Sequence, residues 1–133
     1  MPDRCTYDYA VVRVVPHVER GEFVNAGVIV AATARAFLKA AVELDEARLL
    51  ALDPSADVEA LRAALEAIPR ICAGGAAAGA LGRLSLRERF DWLVAPRSTS
   101  IQVSAVHSGR CADPDAALEH LMRRMVRRPG DLP

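Results

Sequence analysis

Apolar side chains alternate along the N-terminal part of the chain with the period of β-strands. The run Tyr7 to Val15 carries apolar residues on both faces, which predicts a central strand covered on both sides. Phe23 to Ala32 and Arg35 to Leu44 predict two more strands, and the short polar connections favour an antiparallel meander over residues 6–45. The alanine content of residues 31–42 leaves a helix open there as well.

Three- and four-residue spacing replaces this alternation from residue 53 onward and predicts a helical segment over residues 53–95. Asp53-Pro54 predicts a helix start, and Pro69 is expected to kink or end that helix. Ser85 and Glu88 form the sequence of a capping box for a second helix. The apolar stripe of the first of these helices consists of Val58, Leu61, Leu65, Ile68 and Cys72.

The C-terminal part returns to alternation and then to helical spacing. Ile101 to His107 predicts a fourth, half-buried strand. Asp113-Pro114 predicts the start of a third helix, and residues 129–133 are expected to form a frayed tail. The buried stripe of this last helix is predicted at Leu118, Leu121, Met122 and Met125.

This order of elements predicts the α+β class, with three helices packed on a small, mainly antiparallel sheet of about four strands. A chain of 133 residues fits a single domain, 1–133. Within it the pattern separates the meander of 6–45, the helical segment of 53–95 and a strand plus helix over 100–128.

Composition narrows the function classes. The formal net charge is zero, so the chain lacks a global basic field and nucleic acid is not favoured as a partner. The three cysteines have no zinc-ligand spacing, which argues against a metal, and no cofactor motif is present. Reduced thiols, the absence of an N-terminal apolar region and the absence of a membrane-length apolar run together predict a cytoplasmic protein.

The stretch Arg20 to Val30 places Asn25 and Gly27 inside an apolar strand, where strand propensity favours neither. A β-bulge or a close backbone approach explains them, and a ligand-orienting Asn25 amide is the alternative. Arg13 interrupts one apolar face of the first strand and is expected to pair with Glu22 across the hairpin, the alternative being an anion-binding arginine.

Three further groups of polar residues are candidate sites. Arg97 and Ser98 lie in a loop whose hydroxyl and guanidinium groups suit a phosphate, and Arg110 is placed to approach it. His107 is the candidate general base because it is expected at a strand end, with a structural histidine as the alternative. The last helix carries Arg123, Arg124 and Arg127, which either complement its dipole or bind a partner.

Several blocks in this order resemble the bacterial family catalogued as domain of unknown function 3037. The first block joins Tyr7, Tyr9, Arg13 and Pro16 to Arg20-Gly-Glu-Phe-Val-Asn-x-Gly-Val28, and the second joins Trp92 and Ala95-Pro-Arg-Ser-Thr99 to Val106-His-Ser-Gly109. The resemblance covers nearly the whole chain. It implies a small cytoplasmic protein encoded beside HipA-like Ser/Thr kinases, and hence a kinase as partner.

Two hypotheses follow. The first is a non-enzymatic binding or regulatory module that uses the last helix and the loops near residues 16–22 and 97–110, with a homo-oligomer left open. The second is an enzyme or binder of a phosphorylated ligand. It requires one pocket formed by Arg13, Asn25, Arg97, Ser98, His107 and Arg110.

Overall fold

A computed structural model describes residues 3–131 and shows the α+β fold. The sheet contains β1 (Cys5–Val14), β2 (Val24–Ala32), β3 (Phe37–Val42), β4 (Ile101–Val103) and β5 (His107–Cys111). All pairings are antiparallel; the spatial order is β3-β2-β1-β4, and β5 continues the β4 line along the same edge of β1. The helices are α1 (Glu46–Leu52), α2 (Val58–Ala73), α3 (Leu86–Val94) and α4 (Pro114–Leu121).

Helices cover both faces of the sheet, as the apolar residues on both sides of the predicted first strand require. The face that packs on α1, α2 and α3, here called the first face, presents Val12, Val14, Ile29 and Ala31. The opposite or second face presents Val28 and Val30, with Tyr7 and Tyr9, to α4. The meander is confirmed, and residues 37–42 form a strand rather than a helix.

The start of the first predicted helix, which is α2 in the structure, was predicted incorrectly. Asp53 ends α1, a helix that the sequence pattern did not predict, and its carboxylate accepts hydrogen bonds from the Ser55 amide and hydroxyl. Asp57 caps α2 instead, accepting from the Ala60 amide at 3.1 Å. The helix also continues past Pro69, because Ile68 and Ile71 on either side of it are buried in the core.

The segment after α2 is more regular than a linker. Ala76–Arg83 forms short 3₁₀ turns that change direction at Gly79, and the Gly75 amide donates to the Gly82 carbonyl at 3.2 Å. The predicted capping box is confirmed: Ser85 and Glu88 exchange side chain-to-amide hydrogen bonds at the start of α3.

The predicted strand 101–107 is divided in two. Ser104 accepts a hydrogen bond from the Val11 amide through its hydroxyl and donates its own amide to the Val11 carbonyl, both at 2.9 Å. Ser104 alone therefore bonds both the amide and the carbonyl of Val11, and residues 105 and 106 make no ladder hydrogen bonds with β1. As a result His107 begins β5 rather than closing β4.

The last helix widens into a π-turn, Met122–Val126. A wider turn adds one residue per revolution and shifts the buried stripe by one position. Val126 is consequently buried, whereas Met125, predicted to be inward, is 39% exposed. Pro129–Asp131 form a 3₁₀ turn, and the remainder of the predicted tail lies outside the described residues.

Candidate functional site

Asn25 connects the bulged end of the sheet to the end of the last helix. The β1–β2 register shifts between Val12 and Arg13, so that Ala26 is an extra residue on β2. The bulge turns Asn25 toward the second face, where its Nδ2 donates to the Met125 carbonyl at 3.0 Å. The bulge interpretation of this stretch is thereby confirmed, and the amide has a structural task in stabilising the π-turn.

The predicted ion pair between Arg13 and Glu22 is wrong. Glu22 lies beyond the turn and pairs with Arg20, whose Nε is 2.5 Å from its Oε1 in exposed surroundings. The Arg13 guanidinium instead lies over the Phe23 ring, 4.2 Å from its centroid. Cation–π contact of this kind stabilises a half-buried arginine without a carboxylate.

Two polar atoms beside this stack are buried without a hydrogen-bond partner within residues 3–131: Arg13 Nε and Asn25 Oδ1. Arg13 and Asn25 are direct cross-strand neighbours. Phe23 and Met125, which flank Asn25, are 43% and 39% exposed. We call Arg13, Phe23, Asn25 and Met125 the bulge surface; it combines exposed apolar area with a cation.

Arg97 and Ser98 lie elsewhere. Arg97 closes the end of α3, donating to the carbonyls of Trp92 and Leu93 at 2.7 and 3.1 Å, and its guanidinium lies 4.3 Å from the Trp92 ring centroid. These contacts leave its donors engaged with backbone rather than directed at a ligand. Ser98 is exposed.

His107 and Arg110 occupy β5. The exposed His107 ring lies 5.5 Å from the Tyr9 ring, on the second face. Arg110 pairs with Thr6 and is exposed at the far end of the same strand pair. Tyr9 and Arg13 are about 13 Å apart along β1 at the usual rise per residue, and their partners His107 and Asn25 flank opposite edges of that strand.

The six residues of the phosphate hypothesis are thus distributed over the molecule. Arg13 and Asn25 are adjacent, whereas Arg97 and Ser98 lie in the loop after α3, a helix on the first face, and His107 and Arg110 lie along β5. Among residues 3–131, no group of three or more His, Cys, Asp or Glu side chains could hold a metal ion. None of the helices in that range is both long and apolar enough to cross a membrane.

The basic residues at the end of the last helix differ in their contacts. Arg127 binds Glu43 at 2.9 Å and Glu119 at 2.5 Å, so it ties the helix end to the residue that follows β3. Arg124 is exposed and makes no ion pair within the described part of the chain, and Arg123 is half-buried. Arg124 therefore extends the cationic character near Met125.

Sequence reasoning missed a polar cluster around Asp8 on the first face. One carboxylate oxygen accepts from the Ser108 hydroxyl at 2.6 Å and the other from Arg87 Nη1 at 2.8 Å, which ties α3 to β1 and β5. The Ser108 hydrogen bond, followed by that of Arg87, lowers the pKa of Asp8 below its ordinary value of 3.8, although burial opposes the shift. A lone carboxylate inside an apolar strand was the available signal.

We expect Asp8→Asn to flatten part of the acid dependence of stability. A carboxyl whose pKa is lower folded than unfolded stabilises the fold above its unfolded pKa, near 3.8, and loses this contribution as pH falls toward the folded value. Urea unfolding from pH 7 to pH 3 should therefore show a steeper loss for the wild type than for Asp8→Asn below about pH 4.

Asp91→Asn is the matched control, because Asp91 accepts from the other side of the same guanidinium, at 3.2 Å from Arg87 Nε, but has no contact with Ser108. It should retain the wild-type steepness. Parallel curves for the wild type and Asp8→Asn would contradict the assignment.

Architecture and surface together define a small α+β protein with an antiparallel sheet covered on both faces and a bulge at one end. The chain belongs to the DUF3037 family, described as proteins of unknown function, whose model matches residues 9–126. All four residues of the bulge surface fall within the matched range. Comparisons with curated proteins and with solved structures gave no match.

Proposed function

We propose that the protein is a non-enzymatic binding module whose partner protein contacts the bulge surface. One observation carries the proposal: Asn25 holds the Met125 backbone beside Arg13, whose guanidinium lies over Phe23, and the Phe23 and Met125 side chains are both exposed. Exposed apolar side chains grouped with an arginine are typical of protein interfaces, which are enriched in aromatic residues, methionine and arginine. The loop of residues 16–22 leads directly into this surface.

The chemistry of the surface specifies the partner. Phe23 and Met125 require apolar side chains opposite them, and the half-buried Arg13 guanidinium attracts a carboxylate. Arg124 supplies a second positive charge at the rim. The expected partner segment is therefore apolar at its centre and acidic at one side.

The family resemblance names a HipA-like kinase as the candidate partner. A cytoplasmic location belongs to the same proposal and is supported by the three cysteines, all of which are free thiols.

Calorimetric titration of the purified protein with a purified HipA-like kinase encoded beside it tests the proposal. The double variant Phe23→Ser/Met125→Gln should weaken binding at least about tenfold, because each buried apolar side chain contributes roughly 1.5–3 kcal/mol. Binding should also weaken with added salt, through the arginines.

Trp92→Gln is the matched control: Trp92 is 43% exposed, as Phe23 is, but lies on α3 over the opposite face. It should bind as the wild type does. The proposal fails if the wild type does not bind, or if both variants lose affinity equally.

A further inference from the structure

Two of the three cysteines meet across the sheet. Cys5 and Cys111 are direct partners in the β1–β5 ladder, and their sulfur atoms are 4.0 Å apart. The third, Cys72, is buried among the α2 residues of the first-face core. No sequence pattern indicates this pair, because 106 positions separate its members.

The backbone geometry permits a disulfide between them. Directly opposed residues of an antiparallel pair have Cα atoms about 4.5 or 5.5 Å apart, depending on the hydrogen-bonding position, and disulfides span roughly 4.4–6.8 Å. Both ladder positions therefore fall within the range of disulfides. The sulfur atoms must approach by about 2 Å, which side-chain rotation supplies.

A shallow basin of about 540 Å³ lies beside this pair, at the end of the sheet where Cys5 begins β1. Cys5 is in its wall, beside Arg4, Arg35 and Arg110. Arg35 donates to the carbonyls of Asp3 and Ala112, whereas Arg4 and Arg110 are exposed and make no ion pair within residues 3–131. Of the two acidic residues in the wall, Asp8 is already paired with Arg87. The basin thus favours a small anion.

We propose that Cys5 and Cys111 form a reversible intramolecular disulfide by exchange with a small anionic disulfide that is attracted by the arginines at this end of the β1–β5 pair. The more accessible Cys111 attacks first as a thiolate, forming a mixed disulfide and expelling one thiolate of the reagent. Cys5, after losing its proton, then attacks the Cys111 sulfur and expels the second. In total the two protein thiols lose two electrons and two protons, and one reagent disulfide becomes two thiols.

Incubation with oxidised glutathione, followed by denaturation, alkylation and mass spectrometry, tests the reaction. Burial and the hydrogen bond with Cys5 raise the pKa of the Cys111 thiol, so the incubation is run at pH 8.5 to supply thiolate. The wild type should fall from three alkylatable thiols to one, and peptide mapping should join Cys5 to Cys111. The melting temperature should rise by roughly 10 °C, because the closed loop is long, and dithiothreitol should reverse the rise.

Three cysteine variants separate this pair from general oxidation. Cys5→Ser and Cys111→Ser should form no intramolecular disulfide. Cys72→Ala should form it as the wild type does, since burial raises the pKa of Cys72 to about 12 and no other cysteine lies against it in the described core. Retention of three thiols by the folded wild type, or a disulfide that includes Cys72, would overturn the proposal.

A second comparison tests the class of oxidant. Oxidised glutathione should react several-fold faster than the uncharged hydroxyethyl disulfide, after correction for their rates with a free thiol, and salt should remove the difference. Arg110→Gln should slow only the reaction with glutathione. Equal corrected rates for both reagents would overturn the anionic selectivity.

Discussion

Replacing Gly27 by alanine is expected to lower the free energy of unfolding by about 3 kcal/mol. A Cβ atom at this position would lie 2.6 Å from the Ala41 carbonyl oxygen and 2.9 Å from Val42 Cγ1. The oxygen belongs to the backbone of β3, so it cannot rotate away as a side chain would. Either β3 separates from β2 or the bulge is displaced, and each change disturbs the buried centre of the sheet.

Thermal and urea unfolding measure this effect, which corresponds to a drop in melting temperature of roughly 10 °C. Gly130→Ala is the control, because within residues 3–131 no atom beyond its chain neighbours lies within 4 Å of its added Cβ. It should unfold as the wild type does. Equal stability of the two variants would mean that β3 yields at little cost, which contradicts the close approach as the reason for glycine.

Replacing Phe90 by alanine is expected to have a comparable or larger effect, about 4 kcal/mol. The Phe90 side chain is fully buried between α3 and the first face of the sheet. Its removal loses apolar burial and leaves a cavity that the helices can only partly fill. The melting temperature should fall by roughly 15 °C.

Trp92→Ala provides the comparison on the same helix. Trp92 is 43% exposed, and its main described contact is the Arg97 guanidinium above its ring. Its replacement should lower stability by no more than about 1 kcal/mol. If Trp92→Ala were as destabilising as Phe90→Ala, the assignment of the buried face of α3 would be wrong.

Those parts of the fold that depend on local signals were predictable. Apolar residues on both faces of the first strand required covering layers on both sides, and α4 on the second face supplies one of them. The Ser85–Glu88 capping box and the helix start at Asp113-Pro114 each depend on residues that lie within four positions of one another. Such signals act between neighbours in the chain, so the sequence exposes them directly.

Competition between similar local signals produced the errors. Asp45, Asp53 and Asp57 are all plausible helix caps, and the tertiary packing of Leu49 decides that a helix lies between the first two. Pairing outward from the 16–21 connection placed Arg13 within a few residues of Glu22, but in the structure Glu22 pairs with Arg20. The spacing of residues along the chain does not show which way the Glu22 side chain points.

Contacts that define the candidate surface are long-range. Asn25 donates to the Met125 carbonyl, 100 positions further along the chain. No sequence pattern predicted the π-turn that presents this carbonyl. The sequence identified Asn25 and Arg13 as unusual because each breaks an apolar pattern. Their partners, Met125 and Phe23, follow only from the folded arrangement.

The interruption at Ser104 also determines how this sheet edge meets other chains. An uninterrupted strand from 101 to 111 would offer a long row of free amide and carbonyl groups, the usual template for runaway association between copies. Here the row is divided into β4, of three residues, and β5, of five, separated by the protruding Val106. A neighbouring strand can therefore pair with only three or five residues at a time, which limits strand addition along this edge.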